Sequence, residues 1–366
     1  MTDPALAAAY AHGPARFFPG EPIRPAPTAG GRQSPLRGLA AQGPFAADLA
    51  RLLLDVVTPA RWEPWNQYND HRGYPSPRSV FPVDVAIARA DDEWPVDPVR
   101  RATLGPPVER LRPPVRLALR RRPERLRPYY GEFADALVEL ETGHLLAALV
   151  VRAGELGLHA VADEHGVTLR PGQRPATIAP MPARTSGFGP RGFAADPRPL
   201  PLDPVSGIVA ALPAGRLRYR LAVHNVTGLA DGWYDERLAL VRDYAAMARV
   251  RDCSGHPESI IAVSGFNLAL VITADVPGAV AEEGPGAYAA LLRAAGGAAQ
   301  SAGAVAARAG MFSRPVRSVN DLRLEAAVEA PAGHSLLYVV LAGRCRVRSF
   351  PYDLSPYDLS PLEEPC

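Results

Sequence analysis

The chain has 366 residues, enough for two domains of ordinary size, with 47% apolar residues and a formal net charge of +2. That near-neutral balance gives no general signal for a polyanionic partner. All 40 Lys+Arg residues are arginine, so no lysine ammonium is available as a base or Schiff-base former, and three cysteines without a CxxC argue against a disulfide framework or a zinc site.

Residues 1–30 are rich in Ala, Pro and Gly and read as a flexible arm. Apolar residues at Phe45, Leu49, Leu52, Leu53 and Val56 predict a helix over 45–57 with one buried face. The stretch 62–79, rich in aromatics, Pro and Asn, suits a site-forming loop, and 80–88 alternates enough to be a strand. Residues 100–127 carry ten arginines and two acids. They read as an irregular solvated segment or as a docking surface for an acidic peptide or phosphate. A helix over 132–158 is apolar round much of its circumference and stops near Gly157, so it should be central.

After a Pro-rich linker the order repeats, with a helix over 202–212, a strand over 219–226, a hairpin over 228–238 and a buried strand over 259–274. A long helix over 287–309 ending at Gly310 and a last strand over 336–342 complete the second half. The 259–274 run is too short for a membrane span, and the N-terminus has prolines and charges where a signal peptide has an apolar run. A cytoplasmic protein without membrane or nucleic-acid partners is expected. The tail over 351–366 contains Pro-Tyr-Asp-Leu-Ser twice and reads as disordered or as a partner-binding motif.

Two landmarks suggest one domain written twice. Arg32-Gln33-Ser34 recurs as Arg184-Thr185-Ser186 at an offset of 152 residues, and Gly157 aligns with Gly310 at an offset of 153. Such an Arg-x-Ser segment can bind phosphate, because a guanidinium gives a bidentate contact and the hydroxyl a further bond. Pro75-Ser76-Pro77-Arg78 is a turn able to offer backbone N–H groups to a flat polar ring. Gly343-Arg344-Cys345-Arg346 offers two guanidiniums on one side of an extended chain.

This ensemble resembles the FMN-dependent nitroreductase superfamily, and within it the azoline (thiazoline/oxazoline) dehydrogenases of peptide natural-product biosynthesis. The motifs that carry the resemblance are Arg32-Gln33-Ser34-Pro35-Leu36-Arg37, Pro75-Ser76-Pro77-Arg78, Glu141-Thr142-Gly143-His144, Leu229-Ala230-Asp231-Gly232-Trp233-Tyr234 and Gly343-Arg344. The resemblance implies an α+β fold with two tandem nitroreductase-like domains, each a mixed β-sheet flanked by helices, forming an intrachain pseudo-dimer. The implied divisions are a first domain over 31–170, a linker over 171–183, a second domain over 184–350 and the tail.

It also implies an FMN cofactor, a modified precursor peptide as substrate and other enzymes of the same pathway as partners. By the family's pattern one composite site takes Arg184, Ser186, Arg344 and Arg346 with Pro75, Ser76 and Arg78. Arg32, Ser34 and Arg37 belong to a second site that lacks a Gly-Arg end. Tyr129, Tyr130 and His144 are the candidates for proton transfer, with ring-edge packing the alternative for the tyrosines and a core histidine the alternative for His144. The family's usual Lys-Tyr is replaced by Pro128-Tyr129-Tyr130-Gly131. Two further readings remain at this point, an NAD(P)H-dependent nitro- or quinone reductase and a non-catalytic scaffold.

Overall fold

The computed structural model describes residues 32–62, 71–90, 92–178, 181, 184–187, 195–196, 198–344 and 352–354. The expected arm lies outside them. The chain divides into two compact units, Met1–Met181 with Phe350–Cys366, and Pro182–Ser349.

In the first unit the elements run β1 (Gln33–Pro35), α1 (Pro44–Val56), β2 (Arg61–Trp62), β3 (Val83–Arg89), β4 (Asp92–Asp97), β5 (Ala102–Leu104), β6 (Val115–Arg121), α2 (Ala134–Glu155), β7 (Leu158–Asp163) and β8 (Gly166–Pro171). Seven of these strands form one sheet in the order β1-β5-β4-β3-β6-β8-β7. Helix α1 starts with Pro44 in its first turn, where a missing N–H costs nothing, and buries Leu49, Leu52, Leu53 and Val56. Helix α2 buries residues round much of its circumference, as its even distribution of apolar positions predicts.

In the second unit the elements run α3 (Leu202–Ala210), β9 (Leu217–Val223), β10 (Gly232–Tyr234), β11 (Leu240–Arg242), α4 (Ala246–Cys253), β12 (Leu268–Asp275), α5 (Val276–Glu283), α6 (Gly286–Arg308), β13 (Met311–Val316), α7 (Asp321–Ala327) and β14 (His334–Arg344). Its sheet order is β11-β10-β9-β12-β14-β13. Strand for strand this repeats β5-β4-β3-β6-β8-β7 of the first unit. The named pairings in both sheets are antiparallel, and a parallel bridge joins Leu200 to Val226 outside the named strands.

The repeat is held in register from β6 to β7, and the second unit then inserts α7 before β14. Strands β6 and β12 begin at Val115 and Leu268, and β7 and β13 begin at Leu158 and Met311, each pair 153 residues apart, as Gly157 and Gly310 are. Both glycines sit at positive φ, +80° and +69°, the left-handed conformation that ends a helix without a Cβ clash. The Arg-x-Ser pair does not share this equivalence. Ser34 lies in β1 opposite Thr103, on the β5 edge of its sheet. Thr185 instead accepts a bond from Ser313 N at 3.0 Å, on the β13 edge of the other.

Several expectations need correction. Residues 100–127 are not irregular, because they contain β5 and the central strand β6 with Val115, Leu117 and Leu119 buried in alternation. Their arginines are largely engaged within the unit. Arg116 pairs with Asp163, Arg120 with Glu93, Arg121 with Glu139, and Arg122 and Arg125 both with Asp84. These cations thus carry carboxylate partners within the unit. The strand read over 259–274 is confined to Leu268–Asp275, because a short 3-10 turn at Val263–Gly265 interrupts the apolar run. In the tail, expected to be disordered, Tyr352–Asp353 form β15, which pairs antiparallel with β2. An extended Tyr-Asp-Leu needs only a neighbouring backbone, and Leu354 N donates to Ala60 O at 2.9 Å. Residues 355–366 lie outside the described residues.

A buried ionic cluster ties the two helices of the first unit together. Arg152 on α2, 1% exposed, donates from Nε and Nη2 to Asp55 on α1 at 2.8 and 2.7 Å, and from Nη1 to Glu155 at 2.9 Å. Arg51 completes the cluster with Asp55 at 2.9 Å. Removing one member of a buried pair strands the other charge, at a cost of about 3–5 kcal/mol. Arg152→Ala should therefore lower the urea stability of this unit by about 3 kcal/mol, near the low end of that range because Arg51 still meets Asp55. An unchanged midpoint by far-UV circular dichroism would show that the cluster is dispensable.

Candidate functional site

The chemistry of the first unit gathers on the loop before β3. Pro75 and Pro77 stiffen it, and three non-glycine residues, Arg78, Ser79 and Phe81, sit at φ +54°, +50° and +49°. Such conformations cost on the order of 1–3 kcal/mol each and persist only where surrounding contacts impose them. Those contacts centre on Ser76. Its Oγ donates to Glu141 Oε2 at 2.6 Å and accepts from Phe81 N at 2.7 Å. Ser79 N donates to Ser76 O, and Val80 N donates to Pro77 O. Beyond the turn, Arg125 forks onto Asp84 at 2.6 and 2.8 Å and reaches Phe81 O at 3.2 Å. The Phe81 ring lies under the Arg72 guanidinium, 3.8 Å away, and takes the Tyr74 ring edge-on at 5.4 Å.

Four of the residues singled out from the sequence meet here. Pro75, Ser76 and Arg78 build the loop, and the Arg78 guanidinium lies over the Tyr129 ring at 4.8 Å. Tyr129 is 40% exposed, whereas Tyr130 is half-buried. His144 is 1% exposed on α2, one turn beyond Glu141, which suits a core position better than one open to a substrate. The residue that the sequence reading passed over as a site residue is Glu141. A carboxylate among apolar residues of a helix read as central is the available signal.

Arg32, Ser34 and Arg37 do not join this cluster. Ser34 pairs with Thr103 on β5, so β5 and β4 separate it from β3. Arg37 lies close enough to Arg101 to help lower the latter's pKa, after burial, the larger cause.

In the second unit, Arg184 is 9% exposed and donates from Nη1 to Ser186 Oγ at 3.2 Å. Ser313 N fixes Thr185 O, Gly187 N caps Thr185 Oγ1 at 3.2 Å, and Arg314 Nη1 reaches Ser186 O at 3.5 Å. Arg344 behaves differently from the expectation. Its Nη2 donates to Pro199 O and, at 3.0 Å, to Arg198 O, while its own carbonyl accepts from Asp196 N. It fastens Asp196, Arg198 and Pro199 to the end of β14. Arg346 lies outside the described residues. On the loop over 213–216, Arg216 meets Glu282 and Glu283 at 2.8 and 2.7 Å, and these carboxylates raise its pKa.

No family model matches this sequence, and no curated protein does. Among solved structures, a protein of Anabaena variabilis described as a nitroreductase matches with a TM-score of 0.72 at 15% identity, over 93% of this chain and 99% of that one. The chain has a nitroreductase-like fold. At that identity the likeness is one of fold alone. A Ralstonia eutropha protein, also described as a nitroreductase, matches 46% of this chain and 89% of its own at a TM-score of 0.34 and 20% identity. The Escherichia coli microcin synthetase McbBCD complex with truncated pro-MccB17 bound matches 45% of this chain and 71% of that one, with TM-score 0.38 and 18% identity.

A nitroreductase-like fold raises the question of a flavin nucleotide. The donors of the second unit fit its phosphate end, since a nearly buried guanidinium beside a hydroxyl is suited to a phosphate monoester. The turn at Ser76 has few N–H groups free for a ligand. The N–H groups of Ser79, Val80 and Phe81 are engaged inside the loop, and neither Pro75 nor Pro77 has one. Arg344 is likewise engaged on carbonyls.

The serine clamp is testable in itself. Ser76→Ala would leave a buried Glu141 oxygen and the Phe81 N–H without this bond, a loss of about 1–3 kcal/mol. The left-handed turn should relax, and trypsin should cleave after Arg78 faster than in the parent protein. An unchanged cleavage rate would mean that the prolines alone hold the loop.

Proposed function

We propose that this chain is a flavin-dependent oxidoreductase that holds the phosphate of FMN with Arg184 and Ser186. The observation that carries the reading is the guanidinium–hydroxyl pair on a backbone pinned to β13, within a nitroreductase-like fold. The finer part of the proposal is the substrate, an azoline ring on a modified precursor peptide, oxidised to the azole. It rests on the sequence motifs that resemble the azoline dehydrogenases. Other enzymes of the same pathway are proposed as partners on the same basis.

Aromatising an azoline removes a hydride and a proton from the ring. Bound FMN supplies the hydride acceptor. This chain's own part is to bind the phosphate dianion and to help the proton leave. Tyr129 is the candidate for passing that proton to solvent, because its ring is exposed and Arg78 steadies it from one face. The buried His144 is not assigned a step.

The second reading is a non-catalytic scaffold of nitroreductase-like fold. It is favoured by one specific feature, that Ser76 and Arg344 are both engaged within the protein.

The visible spectrum of the purified protein separates the two. A yellow protein, or one that takes up FMN on titration, supports the enzyme, whereas a colourless protein that takes up none supports the scaffold. Arg184→Ala removes charge-assisted contacts worth about 1.5–3 kcal/mol, so FMN should bind roughly ten- to a hundredfold more weakly. Arg32→Ala should leave binding unchanged, and the opposite pattern would overturn the assignment of Arg184. For the substrate, incubation of the flavin-loaded protein with a thiazoline peptide should yield a product lighter by two hydrogens. Bound flavin without such a product across a panel of azoline peptides would remove that substrate class.

A further inference from the structure

The two sheets share a strand order but differ at one edge. In the second unit the outer strand β13 is covered, because Ser313 N donates to Thr185 O at 3.0 Å. The equivalent strand of the first unit is β7, and the residue equivalent to Ser313, at the same 153-residue offset, is Ala160. Strand β7 pairs only with β8 among the described residues. Val161 is 57% exposed, and His159, Ala162 and Asp163 are exposed as well.

The hydrogen-bond parity of this edge can be worked out. Leu119 N donates to His165 O, which turns the odd residues of β8 toward β6. Gly172 N donates to Gly157 O, which turns the even ones toward β7. In the β7–β8 register His159 lies opposite Arg170, Val161 opposite Thr168 and Asp163 opposite Gly166. These three residues of β7 therefore spend their backbone groups on β8. Those of Ala160 and Ala162 point outward, by the alternation of an antiparallel ladder.

An open edge of this kind pairs well with itself. If two copies of β7 run antiparallel about a two-fold axis through Val161, Ala160 of each faces Ala162 of the other, so the outward groups meet as hydrogen-bonded pairs. The same register sets Val161 against its own copy and His159 against Asp163, all on one face of the sheet. Asp163 is anionic in neutral solution. The Arg116 guanidinium bonded to it, with the His165 N–H, holds its carboxyl down to about 2. Its partner across the axis is the imidazole of His159, with the Arg170 guanidinium on the neighbouring strand. A slip by one residue would break both the hydrogen-bond parity and this charge match.

We infer that the β7 edge is a self-association surface, on which a second copy of this chain adds its own β7 antiparallel and joins the two seven-stranded sheets. Backbone pairing supplies the contact, and Val161, His159 and Asp163 fix its register. The inference is independent of the flavin reading.

Sedimentation velocity over a range of concentrations tests it. The full chain should show a reversible species of twice its 39.0 kDa mass. Val161→Arg places two guanidiniums on the axis, at an exposed position that folding does not need, and should leave only the single-chain mass. Val161→Cys, with Cys345 and Cys366 changed to Ser, should give a covalent dimer on mild oxidation, because side chains at a non-hydrogen-bonded pair lie closest. Ala160→Cys in the same background should cross-link far less. A parent protein that stays at 39.0 kDa throughout overturns the inference, as does a dimer that survives Val161→Arg. In the first case the edge is left to a different extended segment.

Discussion

The reversal at Gly157 and Gly310 sets the geometry of each unit. A long helix crosses a sheet, stops, and the chain turns back at once into a strand of that sheet. Only a residue tolerant of positive φ makes this turn without strain, and at Gly157 a Cβ would also come within 2.6 Å of the Arg174 Cα. The strand that follows is thereby delivered to the outside of the sheet, and its successor, β8 or β14, fills the gap beside β6 or β12. What happens at the sheet edges follows from this. The outer strand is covered by the segment carrying Arg184 in one unit and, among the described residues, left open in the other.

The candidate site depends on a second constraint, the cost of burying polar groups. Glu141 is 1% exposed, so its carboxylate needs a donor, and Ser76 supplies one while also accepting from Phe81 N. That double role holds three non-glycine residues in left-handed conformations. It also draws the loop's N–H groups inward. A turn whose composition suits ligand binding is thus committed to its own structure. The donors better suited to an anion lie at the start of the second unit, where the Arg184 guanidinium and the Ser186 hydroxyl sit side by side on a pinned backbone.

A similar economy governs the arginine-rich run at 100–127. Its side chains alternate along β6 between an apolar face and a face on which Arg116 and Arg120 pair with Asp163 and Glu93, while Arg121 at the strand's end meets Glu139 of α2. Most of these pairs are partly solvated and each contributes little to stability. Together they engage positive charge that, counted along the sequence alone, read as a solvated segment or a docking surface for an acidic peptide or phosphate.

By itself the sequence determined the helices α1, α2, α3 and α6, though not the shorter α4, α5 and α7, together with the two glycines that end the longest of them and the recurrence of the arrangement. These are encoded locally, in apolar periodicity, in the need for positive φ and in an offset that stays constant from β6 to β7. It also singled out the turn at Ser76 and the Arg184 segment as polar features worth attention. Tertiary structure alone decided which neighbours those features meet. The acceptor that engages Ser76 lies 65 residues away on another element, and the carbonyls that hold Arg344 lie about 145 residues away. The same holds for the strands hidden in 100–127, whose arginines read as solvated until their carboxylate partners on other elements are in place. An Arg-x-Ser segment carries no instruction about which sheet edge it joins, because backbone pairing is indifferent to side chains. The edge it occupies is settled only when the rest of the sheet has formed.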